Sequence, residues 1–309
     1  MSEHAVSIEK ISKSFGETQA LKEVSFSVPP GEIFGIIGPD GAGKTTLFRI
    51  LTTLLVQDSG TATLMGMDTV EGFRRIRNIV GYMPGRFSLY YDLSVEENLQ
   101  FFATIFGVSW RENYDLVKDI YSQIEPFRRR PAGKLSGGMK QKLALSCALI
   151  HAPEVLIMDE PTTGVDAVSR REFWEMLRRL QQKNITILVS TPYMDEAEQC
   201  DRVALMQRGQ VLGIDTPKGI TENFGRDLFA VRTGDMFRLP EDLRSHPQNH
   251  SAYRFGDAVH FVPEKRDLTG KEISEYLEKK DHDSIHVKRI SPGIEDCFMA
   301  FMEEDEQRS

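Results

Sequence analysis

The chain has 309 residues, 40% hydrophobic and 27% charged, which is enough for one large core or two ordinary ones and excludes a disordered protein. Lys and Arg number 38 against 46 Asp and Glu, and the net charge of −8 argues against a general nucleic-acid binder while leaving room for a local phosphate site. Three scattered cysteines, Cys147, Cys200 and Cys297, exclude a disulfide framework or a CxxC-type zinc site and read as reduced thiols.

In chain order, residues 1–10 carry Glu3 and Glu9 and no apolar run, so no signal peptide is expected. Strands are predicted at 24–28 and 32–37, separated by the turn Pro29-Pro30-Gly31. Residues 43–54 read as a helix with Leu47, Ile50, Leu51 and Leu54 on one face, and 61–65 as a hairpin strand. Helices follow at 94–106, with Ser94 and Glu97 as a capping box, and at 112–124 and 136–150. Residues 155–158 and 185–189 read as buried strands flanking a helix at 167–181, and 202–206 and 210–214 as short closing strands. Strands joined by helices favour a parallel sheet with helices on its faces, and the early β-rich segment predicts an antiparallel layer beside it.

After Thr216-Pro217-Lys218 the composition shifts. A polar stretch at 245–251 precedes strands at 258–262 and 284–289, a helix at 270–280, and a final helix opened by Pro292 and running to about 303. This reads as a small α+β domain. No stretch approaches the ~18 apolar residues that would span a bilayer.

Three motifs carry chemistry. Gly38-Pro39-Asp40-Gly41-Ala42-Gly43-Lys44-Thr45 fits GxxxxGK[ST], after a predicted strand and at the mouth of a predicted helix. Its backbone N–H groups and the helix N-terminus would cradle phosphates, Lys44 would add a full charge, and the Thr45 hydroxyl would ligate Mg²⁺. Residues 155–160 form an apolar strand ending in Asp159 and Glu160. Asp159 is placed to hold Mg²⁺ through water, and Glu160 to face a nucleophilic water. Leu135-Ser136-Gly137-Gly138-Met139 opens a second helix whose N-terminus is bared by glycines. Two phosphate-seeking helix ends in one chain point to two chains sharing two nucleotides.

In this order and spacing the three motifs resemble the ATP-binding subunits of ABC transporters, over residues 5 to about 219. They look most like the ATPases of drug, polysaccharide or lipid exporters with separate permease chains. Ile290-Ser291-Pro292-Gly293-Ile294-Glu295-Asp296 resembles that group's C-terminal accessory domain. The resemblance implies an α/β P-loop ATPase with an antiparallel β layer over residues 1–220, a helical subdomain at about 86–150, and a C-terminal α+β domain at 221–309. It implies ATP and Mg²⁺ as cofactors, bound by residues 38–45 with the adjoining Thr46, and by Asp159. It makes Glu160 the water-activating carboxylate and aims Ser136, Gly137, Gly138 and Met139 at a partner's ATP. Phe15 matches the aromatic that stacks under adenine, with a buried core ring as the alternative. Asp166 matches the aspartate that communicates across the ATPase dimer.

Two positions depart from that pattern. Gly85 stands where the family has the Gln that touches Mg²⁺ and the attacking water, and Pro192 where it has the His that contacts the γ-phosphate. Neither offers a side-chain donor, and Pro192 lacks even a backbone N–H. Asp40, where Asn is usual, is a smaller change. The expectation is therefore an export ATPase at the cytoplasmic face of the membrane that works as the less active half of a heterodimer. A homodimer, and a regulatory subunit that binds ATP with little turnover, are the alternatives. A GTPase would want an NKxD-like reader, a kinase would not explain residues 135–139, and a soluble ribosome- or DNA-acting ATPase would want a second ATP unit in the chain. The cargo is not legible, because its contacts would lie in the permease.

Met65, Met67, Met139, Met158 and Met176 read as fillers, Arg128-Arg129-Arg130 as a solvated loop, and Cys147 and Cys297 as inert core thiols. Phe101, Phe102 and Phe106 with Tyr90 and Tyr91 are either core packing or a surface for the permease.

Overall fold

The computed structural model describes residues 3–85 and 89–308, with side chains to residue 302. The first positions of the expected helical subdomain, 86–88, lie outside the described residues. The chain divides into two units, Met1–Pro217 and Lys218–Ser309.

The first unit opens with β1 (Val6–Phe15) and β2 (Thr18–Val28), then β3 (Ile33–Ile37) and α1 (Lys44–Leu51). It continues with β4 (Ser59–Leu64), β5 (Met67–Asp68), α2 (Phe73–Ile79) and β6 (Val80–Met83). The helical part holds α3 (Val95–Phe106), α4 (Tyr114–Tyr121) and α5 (Gly137–Leu149). Then come β7 (Val155–Asp159), α6 (Ala167–Gln182), β8 (Thr186–Thr191), β9 (Arg202–Gln207) and β10 (Gln210–Asp215), and α7 (Pro217–Glu222) begins at the unit boundary.

Two sheets result. An antiparallel layer has the order β2-β1-β4-β5, and a six-stranded sheet the order β10-β9-β3-β8-β7-β6, parallel except for the β9–β10 pair. Every residue of β3, β7 and β8 is buried, as a parallel strand covered on both faces must be. Phe34, Ile36, Ile157 and Leu188 of the sheet pack with Leu47, Phe48 and Leu51 of α1, so the helix that begins at the phosphate-type loop is anchored by its apolar stripe.

The capping box on α3 is present: Glu97 N donates to Ser94 Oγ at 3.3 Å, and Ser94 N donates to Glu97 Oε2 at 2.8 Å. Other expected boundaries shift. The first helix stops at Leu51, because Thr53 takes φ +61. The helix expected over 112–124 shortens to α4, and a 3₁₀ turn containing Pro126 follows.

The second unit holds β11 (Leu228–Arg232), α8 (Leu239–Arg244), β12 (Asn249–Phe255), β13 (Ala258–Pro263), α9 (Gly270–Glu278), β14 (His286–Ile290) and α10 (Ile294–Arg308). Its antiparallel sheet has the order β12-β13-β11-β14, the arrangement of a ferredoxin-like βαββαβ unit. One face packs Phe229, Val259 and Phe261 against Leu243, Ile273 and Leu277 of its helices. On the other, Leu228, Tyr253 and Val262 meet Met299 of α10. Pro292 does not open that last helix. The helix begins two residues later, at Ile294, and the intervening Gly293 amide donates to Asp296 Oδ2 at 2.7 Å.

Asp296 ties α10 to the sheet. Its Oδ1 accepts from the Tyr253 hydroxyl at 2.9 Å and lies 2.5 Å from His260 Nδ1. Burial alone would raise this carboxyl, but the bonds from His260, the Gly293 amide and Tyr253 outweigh it, and the net shift is downward. A depressed folded-state pKa means stability that is present above the ordinary carboxylate range, near 3.9, and lost as pH falls through the folded value. Asp296→Ala should therefore cost about 3 kcal/mol at pH 7 by urea unfolding. The difference from the native chain should shrink at acid pH, and a constant difference from pH 3 to 7 would contradict the pairing.

Candidate functional site

Three parallel strands end side by side. In register, Ile37 of β3 stands beside Thr191 of β8, and Ser190 of β8 beside Asp159 of β7. Open α/β sheets place their ligand crevices at such carboxyl ends.

The loop from Gly38 to Gly43 leaves β3 there and enters α1. A Cβ at Gly38 would fall 2.0 Å from Met206 O, and one at Gly43, held at φ +105, would fall 2.6 Å from Ala20 O. Only glycine fits either place. Gly43 is the N-cap of α1 and has no side chain to occupy the first-turn amides, which are the orphan donors that attract anions. Pro39, Asp40 and Gly41 are exposed, and Ala42 is buried beneath them. Thr46, half-buried, is the third residue of the helix.

Lys44 is buried at 3% exposure. Its Nζ donates to the carbonyls of Gly38 at 2.7 Å and Pro39 at 3.0 Å, and lies 3.2 Å from Glu160 Oε1. Thr45 Oγ1 donates to Asp159 Oδ2 at 2.7 Å, and Ser190 Oγ donates to Asp159 Oδ1 at 2.6 Å. Glu160 takes φ +48, a strained value for a residue with a side chain, and its N–H donates to both the carbonyl and the hydroxyl of Ser190. Tyr82 stays protonated, pushed up to about 12 by burial first and by the Asp159 charge second, with Arg49 partly offsetting both.

Thr45 and Asp159 thus present two hard oxygens 2.7 Å apart. Among the described residues no group of three or more His, Cys, Asp or Glu could cage a metal. This donor set fits Mg²⁺, which is held by one or two protein oxygens with waters and substrate phosphates completing the shell.

Phe15 ends β1 at 51% exposure, with Lys13 Nζ 5.7 Å from the ring centroid. The buried-ring alternative is excluded, and the ring is accessible for stacking.

Residues 135–139 lie elsewhere in the same unit. Ser136 N-caps α5 by accepting from Met139 N at 3.4 Å. Ser136 and Gly137 are exposed, Met139 is half-buried and Gly138 is buried. A Cβ on Gly138 would meet Ser169 Oγ at 2.8 Å, so this glycine lets α5 approach the start of α6. Buried Gln141 donates through Nε2 to Pro161 O, linking α5 to the loop after Glu160. Asp166 caps α6, accepting from Val168 N, Ser169 N and Ser169 Oγ, and the Ser169 bonds hold its carboxyl below the usual range. In this state the carboxylate is engaged within its own chain.

Gly85 adjoins the carboxylate pair: a Cβ there would lie 3.2 Å from Asp159 O and 3.8 Å from its Oδ2. Pro192 follows Thr191, whose carbonyl accepts from Gly38 N at 3.4 Å and whose hydroxyl accepts from Tyr193 N at 3.0 Å. Both positions therefore flank the site, and neither brings a side-chain donor. Beyond Pro192, Arg170 lies over the Tyr193 ring and Thr162 Oγ1 donates to Glu196 Oε2, pinning this segment to α6 and the loop after β7.

Ser190 was not among the residues expected from sequence, nor were Gln141 and Thr162. The Ser190 signal, a hydroxyl at the end of a buried apolar run just before Pro192, is visible only once β7 and β8 are paired. The three cysteines are buried and unpaired, their thiols raised by burial, which leaves them unreactive.

The ABC transporter family matches residues 21–163. Probable multidrug ABC transporter ATP-binding protein YbhF of Escherichia coli (strain K12) is 40% identical over 227 residues, 73% of this chain, which spans 39% of that protein's length. Nod factor export ATP-binding protein I of Bradyrhizobium diazoefficiens is 33% identical over 311 residues, covering 97% of this chain and 96% of that one. Among solved structures, cbiO1 from Clostridium perfringens, part of the ABC transporter complex cbiONQ, aligns with a TM-score of 0.63 at 28% identity, over 71% of this chain and 91% of the other.

Proposed function

This chain belongs to the ABC transporter family of ATP-binding proteins, and on that premise we propose that it binds and hydrolyses MgATP at a dimer interface to power export through a partner membrane permease. The observation that carries the reading is the meeting of the start of α1 with the end of β7 in two pairs, Lys44 Nζ 3.2 Å from Glu160 Oε1 and Thr45 Oγ1 2.7 Å from Asp159 Oδ2.

The residues divide the work. Backbone N–H groups of residues 40, 41 and 43–45 grip the phosphates, and Lys44 leaves Glu160 and the loop carbonyls to reach them. Thr45 and Asp159 hold Mg²⁺, which when bound neutralises charge on the phosphate oxygens. Glu160, released from Lys44, accepts the proton of the attacking water. Phe15 stacks on the base for about 1–3 kcal/mol.

The finer part of the proposal is asymmetry. Gly85 and Pro192 flank Asp159 and the phosphate loop without side-chain donors, and losing one positioned donor costs about 2.7–4 kcal/mol of barrier by analogy with oxyanion holes. This chain's own site then holds ATP and turns it over slowly, while Ser136, Gly137 and Gly138 complete a better equipped partner's site, and Asp166 relays between them. A regulatory subunit with almost no turnover is the second reading, favoured by the same two positions.

No described helix is long and apolar enough to cross a membrane, so attachment at the cytoplasmic face would run through the permease. A groove of about 460 Å³ lined by Leu54, Leu89, Phe102, Ile105 and Phe106 supports such a contact. Tyr90, Tyr91 and Ile105 are about half exposed or more, so this aromatic face is not simply core. The test is an equilibrium titration of the purified chain with ATP and Mg²⁺: saturable binding is expected, and its absence would overturn the proposal.

A further inference from the structure

Ser190 is completely buried and makes three contacts at one point. Its hydroxyl donates to Asp159 Oδ1 at 2.6 Å and accepts from Glu160 N at 3.0 Å, while its carbonyl accepts from the same N–H at 3.1 Å. A serine hydroxyl has one proton, and here that proton is committed to the carboxylate. The bond sets the rotation of Asp159, leaving Oδ2 towards Thr45. The two bonds from Glu160 N hold that residue at φ +48, the backbone geometry from which its carboxylate reaches Lys44.

From these contacts we infer that Ser190 is a positioning residue for both carboxylates of the site, orienting Asp159 for Mg²⁺ and Glu160 for water. The inference rests on the MgATP reading of the Thr45–Asp159 pair. It has particular force in this chain because Gly85 and Pro192 bring no side-chain donor to the carboxylates. Gly85 lies beside Asp159 with no side chain, and Pro192, two residues after Ser190, has no donor. With those two silent, the buried Ser190 hydroxyl on one oxygen and Thr45 Oγ1 on the other set the orientation of Asp159. A hydroxyl bonded to a charged group contributes more than a neutral pair, and deleting it leaves a buried carboxylate oxygen without its donor.

The sequence alternatives at this place are restrictive. Alanine keeps the strand and its backbone bond to Glu160 but removes the hydroxyl. Threonine keeps the hydroxyl and is at home in a strand. Cysteine keeps the size with a weak donor.

The experiment measures ATP affinity of the full chain with and without Mg²⁺, by fluorescence titration, for native, Ser190→Ala, Ser190→Cys and Ser190→Thr proteins. Turnover in the assembled transporter is a second readout. Ser190→Ala should lower the Mg²⁺-dependent gain in affinity about tenfold while leaving metal-free ATP binding within about twofold. Ser190→Cys should fall between, and Ser190→Thr should recover most of the loss. Native Mg²⁺ dependence in Ser190→Ala overturns the inference, as does an equal loss with and without Mg²⁺ in all three variants. If Ser190→Ala does not fold, the Cys and Thr proteins decide between the same outcomes. Failure of the native chain to bind ATP at all would instead overturn the MgATP reading, so the two failures are distinguishable.

Discussion

Lys44→Ala should weaken ATP binding by about 100-fold, roughly 2.7 kcal/mol, in an equilibrium titration of the purified chain. The ammonium is a buried charge poised at the loop: it already bridges two loop carbonyls and Glu160. Phosphate oxygens are stronger acceptors than those carbonyls, and charge-assisted bonds to them carry the discrimination between bound and free states. Deleting the side chain also leaves the Gly38 and Pro39 carbonyls short of a donor, so the unfolding midpoint should be measured beside the affinity. Equal affinity of mutant and native chains would refute the phosphate-site assignment. A parallel collapse of stability would trace the loss to the loop rather than to the ligand.

Ser136→Arg should stop most ATP hydrolysis by the assembled transporter, whereas Glu160→Gln in the same chain should spare much of it. The two changes separate the site this chain owns from the site it completes. Ser136 and Gly137 are exposed, and their structural duty is limited to capping α5, so an arginine there blocks an approaching nucleotide without disturbing a core. Glu160→Gln keeps the shape of the carboxylate and loses its basicity, which affects only the phosphate loop of this chain. Because Gly85 and Pro192 already slow that site, little turnover remains there to lose. The reverse ranking, with Glu160→Gln abolishing turnover and Ser136→Arg sparing it, would point to a symmetric or opposite assignment.

The phosphate loop and the capped helices were legible from sequence because each depends on short-range chemistry. Gly38 and Gly43 occupy places where any side chain would strike a backbone carbonyl, and the Ser94–Glu97 box needs only a three-residue spacing. Elements set by tertiary pairing were harder to read. β1 was not delimited as a strand, because register shifts at Ile8, Ile11 and Lys13 break its alternation. α2 has the sequence Phe-Arg-Arg-Ile-Arg-Asn-Ile and buries only Ile76, too little apolar signal for a helical stripe. β12 begins inside the polar stretch at 245–251, where Asn249 and His250 form its half-exposed start and give no strand-like alternation. Pro292 looked like a helix opener, but Asp296 receives the Gly293 amide and the helix starts at Ile294. Ser190 and Asp159 are 31 residues apart, and nothing local announces that a hydroxyl on one strand will meet a carboxylate on the next.

The most direct measurement of the asymmetry follows the nucleotide itself. The assembled transporter is loaded with radiolabelled, photo-crosslinkable ATP, allowed a single round of hydrolysis, and irradiated, and the nucleotide attached to each ATP-binding chain is identified. Label on this chain should still be triphosphate when label on its partner has become diphosphate. Diphosphate forming on both chains at the same rate, or first on this one, would contradict the account.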